Sequence, residues 1–528
     1  MSFDELVAAF EDAFTRNDHQ ALRIALDGAE SMFPSGVEMQ PAELARLAGL
    51  LIDAGSILHL PDPIKRGRTL FQEKWDILKP IYGSAQLSYN IANAQKSLYD
   101  IERSRPGWRF NLNGVGLCFE AKSLYWRALT ESRVGRATPQ LLTNLANVLD
   151  GSGRVVDALH YYNRALEVSP QFGMAHCNRG LALLYLNRVS GVYSVKLMYE
   201  IYRSFDAARK SDSLDAWARE TSEKQAERVA QAIRDHGHEP TEDLHSIRQD
   251  EQEEQSHGPY WRWCLQHSLA LSEHALYCRC LGARRDDLSI LNSGASLSGS
   301  KVPKMELLLN RMKSEYCLSR ALLFQSVAPE CEPKWDVAPF EGTFTDLLDD
   351  DKTGMETEFL RTSFRLCFGI LDRIARGICD FLGLTRDREK IYFQSFWHPR
   401  NKDGDLRWEE LNRVEAPGLV ALYGLAVDLN ERDGGEWSRL KRYRNLFEHE
   451  LCLVRSDSKS RELPPWLDGE DPPSVPYGQM RSDAADILRF TRAAIFYFVF
   501  LVRSQSRGRS EGSEGRAITF AKKPVGKD

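Results

Sequence analysis

The sequence predicts an all-α protein, an N-terminal repeat solenoid followed by a C-terminal helical bundle. Three observations predict it. Apolar residues recur at helical spacing with little β-alternation anywhere. A self-similar segment returns after 34 residues, a period typical of stacked helical hairpins. Further on, Phe359–Leu382 and Ser482–Arg503 are long amphipathic or apolar stretches with the spacing of packed helices. At 528 residues the chain has room for roughly three or four domains.

Residues 1–80 read as an N-terminal region of three or four amphipathic helices, broken at Pro34-Ser35-Gly36 and Pro61-Asp62-Pro63. The repeat follows, over 81–215. In Pro139–Pro170, Leu142, Leu145, Ala146 and Leu149 mark a first helix. Gly153 marks a turn, Ala158, Tyr162 and Ala165 a second helix, and Pro170 closes the unit. Asn144 and Ala146 return as Asn178 and Gly180 at the 34-residue period. An earlier, divergent unit starts at Tyr89-Asn90-Ile91-Ala92-Asn93 and carries an insertion around Pro106-Gly107. Small residues let paired helices approach while Leu and Tyr fill the gap between them. The segment resembles a tetratricopeptide repeat along its whole length, and three or more such units imply a curved solenoid with a concave face that holds a protein or peptide partner.

Residues 216–257 form a charged connector, and 258–505 a second helical domain. Its helices are expected over Lys301–Ser326, with Leu307, Leu308, Met312, Tyr316 and Leu323 on the buried side, and over Phe359–Leu382, Leu419–Leu429, the Arg444 segment and Ser482–Arg503. Residues 506–528 are a basic, Ser/Gly-rich tail without the apolar content to build a core.

Composition narrows the function classes. A net charge of −6 argues against a general nucleic-acid coat and leaves room only for a local basic site. The ten cysteines are scattered through apolar helical patterns and read as small buried hydrophobes of a reducing compartment. The acidic, amphipathic start is unlike a signal peptide, and the apolar run Ala493–Val502 is about half a membrane span. The expectation is a cytoplasmic protein with no membrane segment.

Conventional hydrolase motifs are missing: the chain has no Walker-type glycine loop and no G-x-S-x-G elbow. Cys264, His267, His274, Cys278 and Cys280 invite a zinc reading. On one continuous helix, however, Cys264 and Cys278 would stand about 21 Å apart, too far for one tetrahedral ion. His236 and His238 fall in the charged connector and read as solvated. The acidic run Asp346, Asp349, Asp350 and Asp351 reads as a solvated helix end. No metal and no cofactor is expected.

What remains is Arg444-Asn445-Leu446-Phe447-Glu448-His449-Glu450. An imidazole can move the proton of a ribose 2′-hydroxyl while a guanidinium holds the phosphate as its charge builds. Spacing alone is weak: 49 arginines and 12 histidines in 528 residues give an Arg five positions before a His about once by chance. Arg262 and His267 are such a pair. On a helical wheel Asn445, His449 and Arg442 share a face, whereas Arg444 lies roughly 140° from His449 and pairs with Glu448. Arg439, Lys441 and Arg442 add positive charge suited to RNA phosphates.

The C-terminal domain resembles the HEPN superfamily (higher eukaryotes and prokaryotes nucleotide-binding), in the branch fused to tetratricopeptide repeats. The likeness runs through Tyr260–Leu271, Leu308–Ser326, Leu360–Ala375, Pro417–Leu429 and Arg444–Glu450, in order over roughly 240 residues. The superfamily's signature is an arginine followed after four to six residues by a histidine, often with a polar residue after the arginine. Arg444-Asn445 with His449 fits, and Arg442 with His449 also fits. The Arg262–His267 pair lies in a different helix and lacks the polar residue.

The resemblance implies a metal-independent endoribonuclease that works as a dimer with two Arg/His helices facing each other. His449 would serve as base or acid, Arg444 would stabilise the phosphate, and Asn445 would orient either. Relatives serve in antiviral defence or as toxins with antitoxin partners. Others are inactive scaffolds, so a non-enzymatic adaptor that dimerises through this domain is the alternative.

Overall fold

The computed structural model describes residues 2–32, 39–132, 138–190, 194–212, 214–240, 255–293, 300–327, 352–384, 391–397, 404–430, 435–457 and 473–507. The protein is all-α, with one pair of three-residue strands among the described residues. Expectations for Pro34-Ser35-Gly36, the acidic run 346–351 and the tail from 508 onward lie outside these residues. The chain divides into two compact units, each built from separated stretches.

The first unit comprises Met1–Leu184, Lys196–Leu244 and Trp397–Arg442. It opens with α1 (Phe3–Arg16) and α2 (His19–Met32). Ser2 and Glu5 close a capping box on α1, so two otherwise orphaned backbone N–H groups are satisfied at the first turn. Paired helices follow: α3 (Pro41–Ile57) with α4 (Pro61–Glu73), α5 (Trp75–Arg103) with α6 (Gly116–Glu131), and α7 (Pro139–Gly151) with α8 (Val155–Val168). Next come α9 (Gly173–Ser190), α10 (Val195–Arg209) and α11 (Ala216–Asp235). Prolines stand in the first turn of α3, α4 and α7, where their missing N–H costs no hydrogen bond.

Every consensus-type residue named in α7 and α8 is buried, and Gly153 between them has φ +77°. Small residues set the helix spacing. A Cβ on Gly180 would meet the Phe205 ring at 2.8 Å, and one on Gly55 would meet Ile64 Cγ1 at 2.8 Å. Polar side chains then tie each pair to the next. Asn144 donates Nδ2 to Asn93 Oδ1 at 3.3 Å, and Asn178, 34 residues on, donates Nδ2 to Asn147 Oδ1 at 2.9 Å. Asn93 and Asn147 are the fifth residues of YNIAN and TNLAN, so one contact repeats along the row.

The surprise in this unit is its last stretch. Helices α15 (Gly404–Asn412) and α16 (Pro417–Asp428) lie in the C-terminal part of the sequence and pack within this first unit. α16 is apolar all round and buried from Gly418 to Leu422. α15 ends at Asn412, whose backbone and side-chain oxygens accept from Asn111 Nδ2 and Asn113 N at 3.0 and 3.1 Å. The insertion around Pro106-Gly107 therefore supplies the loop that holds α15. A Cβ on Gly153 would stand 2.6 Å from Pro417 O, so the α7–α8 turn receives the start of α16 by direct backbone approach.

A fully buried ion network completes the joint. Arg154 Nη1 lies 2.5 Å from Asp428 Oδ2, and Lys122 Nζ bonds Asp428 Oδ1 and, at 2.8 Å, Glu436 Oε2. Burial works against the Lys122 charge, but the carboxylates of Asp428 and Glu436 outweigh it and hold the ammonium above its usual range. Burial likewise opposes the Asp428 charge, and Arg154 and Lys122 override it to hold the carboxyl below the usual range.

The Asp150 carboxyl of this unit has less help. Burial pushes Asp150 up to about 6, offset only in part by Arg103. A carboxyl raised in the folded state loses stability as pH climbs from the ordinary carboxylate range to about 6, and carries the full penalty above that. We expect Asp150→Asn to stabilise the protein by about 1–2 kcal/mol at pH 7.5 and by almost nothing below pH 4. Urea midpoints at the two pH values check this, and an equal effect at both would contradict it.

The second unit comprises Tyr185–Val195, His245–Phe396 and Tyr443–Asp528. Its core is three long helices, α13 (Val302–Val327), α14 (Met355–Leu382) and α18 (Tyr477–Arg507), each in contact with the other two. Ser319 and Ser363 meet Oγ to Oγ at 2.8 Å where α13 crosses α14. In α18, Ala493–Val502 is buried at every position. No helix of the described residues is long and apolar enough to cross a membrane. Leu307, expected on the buried side of α13, is 71% exposed. Met312, Tyr316 and Leu323 are buried as expected, and the row continues through Leu309 and Met305 rather than through Leu307.

The region between 258 and 293 also differs from expectation. α12 spans only Pro259–Gln266, and Ser268, with φ +56°, turns the chain out of the helix. Single 3-10 turns at Glu273–Leu276, Leu281–Arg285 and Ile290–Ser293 follow. The continuous helix assumed in separating Cys264 from Cys278 does not exist. Among the described residues, even so, no three His, Cys, Asp or Glu side chains converge as metal ligands. The turns are held from within: Arg320 Nη2 lies 2.5 Å from Asp286 Oδ2 with its guanidinium 4.9 Å from the Trp261 ring centre.

Candidate active site

The Arg/His segment forms the end of α17 (Ser438–His449). Leu440 and Phe447, seven residues apart, are its buried row. Phe447 stacks on Tyr443 with ring centres 6.0 Å apart and meets Phe364 of α14 edge-on at 5.5 Å. These contacts fix the rotation of the helix and leave the His449 side outward. His449 is the last helical residue, with 66% of its side chain exposed.

A carboxylate joins the residues that the wheel keeps apart. Arg444 Nε lies 3.1 Å from Glu448 Oε2, and the same oxygen lies 3.6 Å from His449 Nε2. Arg444 Nη1 also donates to Asn445 Oδ1 at 3.1 Å. Arg444, Asn445 and His449 are thus gathered in two turns, with Glu448 between the guanidinium and the imidazole. Arg442 is exposed on the wheel face of Asn445 and His449, while Lys441 is partly exposed. Arg439 is drawn elsewhere, its guanidinium 4.9 Å from the Trp437 ring centre and its Nη1 donating to Glu436 O at 3.3 Å. His267 of the competing pair caps α12, its Nδ1 2.9 Å from Trp263 O.

α14 supplies neighbours that the sequence reading passed over. Arg365 Nη2 donates to Phe447 O at 3.1 Å, capping a carbonyl that the helix end leaves open. Arg361 Nη2 donates to Cys452 O at 2.9 Å just beyond the motif. Asp372 accepts from Phe393 N at 2.9 Å; burial raises its carboxyl, with Arg444 and Arg376 pulling the other way. Arg361, Arg365, Asp372 and Arg376 follow spacings of four, seven and four, a polar stripe along the helix. That stripe was the available signal. Downstream of His449, β1 (Leu453–Arg455) pairs in parallel with β2 (Ser474–Pro476), so the chain is held on both sides of the histidine.

Residues 296–505 match the family described as LA2681-like HEPN. The C-terminal region therefore carries a HEPN domain, and α17 with its Arg444 and His449 lies inside the matched stretch. No curated protein sequence matches the chain. HEPN domains are commonly ribonucleases, and they often dimerise and bind RNA.

Proposed function

We propose that the protein is a metal-independent endoribonuclease whose site is built on the end of α17. The observation that carries the reading is the exposed His449 joined to the Arg444 guanidinium through the Glu448 carboxylate, within the HEPN-matched stretch. His449 takes the proton of a ribose 2′-hydroxyl, and the 2′-oxygen attacks the adjacent phosphorus. The bond to the 5′-oxygen breaks, and a second imidazole returns a proton to that oxygen. Products are a 2′,3′-cyclic phosphate and a 5′-hydroxyl. Arg444 holds the non-bridging oxygens as negative charge builds, and Asn445 orients the phosphate or the histidine. One chain offers one such histidine, so two copies with facing α17 helices form the complete site. Lys441 and Arg442 extend it along the RNA backbone.

In this proposal the hairpins α5–α6, α7–α8 and α9–α10 are tetratricopeptide repeats. The repeats bind a protein or peptide and restrain the nuclease, in a cytoplasmic antiviral or toxin-type growth arrest. The test uses the full-length protein, RNA and EDTA. Cleavage with cyclic-phosphate and 5′-hydroxyl ends is expected, and loss of cleavage in EDTA or 5′-phosphate ends would overturn the reading. Comparing Arg444→Ala with Arg442→Ala identifies the working arginine. The adaptor reading draws on the same Arg444–Glu448 pair, which already occupies the guanidinium; intact RNA with a dimeric protein in solution would favour it.

A further inference from the structure

The hairpin row holds a polar cavity of about 290 Å³ lined by residues of α3, α5, α6 and α7. Its charge pattern is specific. Asp53 lines it with an exposed side chain and, among the described residues, has no hydrogen bond or ion pair. Lys96, also on the wall, is taken by Asp100 one turn along α5. The cavity therefore presents one uncompensated negative charge.

The asparagines beside it present donors. Asn93 Oδ1 accepts from Tyr125 Oη at 2.6 Å and from Asn144 Nδ2 at 3.3 Å. Asn147 Oδ1 accepts from Tyr162 Oη at 2.8 Å and from Asn178 Nδ2 at 2.9 Å. With both oxygens occupied, the amide N–H groups of Asn93 and Asn147 are left without an acceptor among the described residues. They stand at equivalent places in two consecutive units, as a row of donors would for an extended chain.

Asp53 belongs to the same pattern. Ile52-Asp53-Ala54-Gly55-Ser56 of α3 aligns with Tyr89-Asn90-Ile91-Ala92-Asn93 and Thr143-Asn144-Leu145-Ala146-Asn147, with Gly55 in the place of Ala92 and Ala146. Asp53 thus stands where the later units carry Asn90, Asn144 and Asn178. The α3–α4 hairpin is one more unit of the row, and its asparagine is replaced by a carboxylate.

We propose that this groove holds an extended segment of a protein partner, with a lysine or arginine side chain seated on Asp53 and backbone carbonyls on the amides of Asn93 and Asn147. The inference rests on the reading of the repeats as a partner-binding region. An anionic ligand is disfavoured, because it would bring like charge onto Asp53. A water-screened cation gains little, but one desolvated in the groove gains a charge-assisted hydrogen bond. Donors that satisfy carbonyls together with one carboxylate match a basic residue within a peptide rather than a free amine.

The experiment selects displayed random heptapeptides on the full-length protein and on the Asp53→Asn, Asn147→Ala and Asn147→Asp variants, then measures chosen peptides by fluorescence anisotropy. Asp53→Asn keeps the size of the side chain on an exposed wall and is expected to fold. Lysine or arginine should be enriched at one fixed position on the parent, and the chosen peptides should bind Asp53→Asn about tenfold more weakly. Asn147→Ala should weaken them irrespective of the basic residue. Peptides that lose affinity on Asn147→Asp but show no basic preference, or bind Asp53→Asn unchanged, overturn the cation site while leaving a partner groove in place. No binders on any form, with unaltered melting temperature, overturn both.

Discussion

His449→Ala is expected to lower RNA cleavage by about 10²- to 10⁴-fold with the fold intact, the loss typical of removing a positioned proton-transfer group. The residue suits such an experiment. Its side chain is mostly exposed, and the contact recorded for it is Glu448 Oε2 at 3.6 Å. Exposed substitutions of this kind usually change stability by less than about 0.5 kcal/mol. The helix end also stays anchored without it, because Phe447 remains packed on Phe364 and Arg365 still caps the Phe447 carbonyl. Any large fall in rate therefore belongs to chemistry. Initial rates on a single-cut RNA, with melting curves of both proteins, check the prediction. Equal rates would remove His449 from the mechanism.

Lys122→Met is expected to destabilise the protein by about 3–5 kcal/mol, the largest effect on stability anticipated for a single residue here. The network would keep Arg154 on Asp428, but Glu436 would keep only the Ser123 hydroxyl, which donates to its Oε1 at 2.6 Å. A carboxylate left in a dry site with one neutral donor bears most of its desolvation cost. The double variant Lys122→Met/Glu436→Leu should recover part of the loss, since it removes the stranded charge. The midpoint of the first urea transition, read at constant slope, measures both. A shift worth under about 1 kcal/mol for Lys122→Met would mean that water reaches the network freely.

Much of the fold was legible because helical periodicity is local. The helices around Leu142–Ala165, Leu360–Ala375 and Ala493–Val502 follow from apolar spacing, and Gly153 marked a turn that does require a positive φ. Where local signals were thin, the reading slipped. A continuous helix served to separate Cys264 from Cys278, but Ser268 takes a left-handed conformation and the chain leaves the helix there. Nor could periodicity reveal that α16 packs within the first unit, since an all-apolar helix states that it is buried and not by what.

The candidate site was legible in its members but not in its wiring. A helical wheel pairs Arg444 with Glu448, and the structure has that pair at 3.1 Å. It gives no hint that Glu448 Oε2 also approaches the imidazole, because neighbouring residues on a helix do not usually face each other. Asp53 was hidden for a different reason. Its unit keeps the small residue and the spacing of the repeat but exchanges the asparagine for a carboxylate, and a pattern search weighted to leucine and alanine passes over it.

The return of residues 397–442 to the repeat unit changes what can be separated by recombination. A border drawn through the charged connector looks like a clean seam, yet Asp428 and Glu436 lie on one side of it while Lys122 and Arg154 lie on the other. A chain divided there would leave each fragment with buried charges lacking their counterions and an apolar helix lacking its cover. The HEPN-matched part is not a movable cassette. In any lineage that shuffles such parts, the two must travel together or be rebuilt at four positions at once.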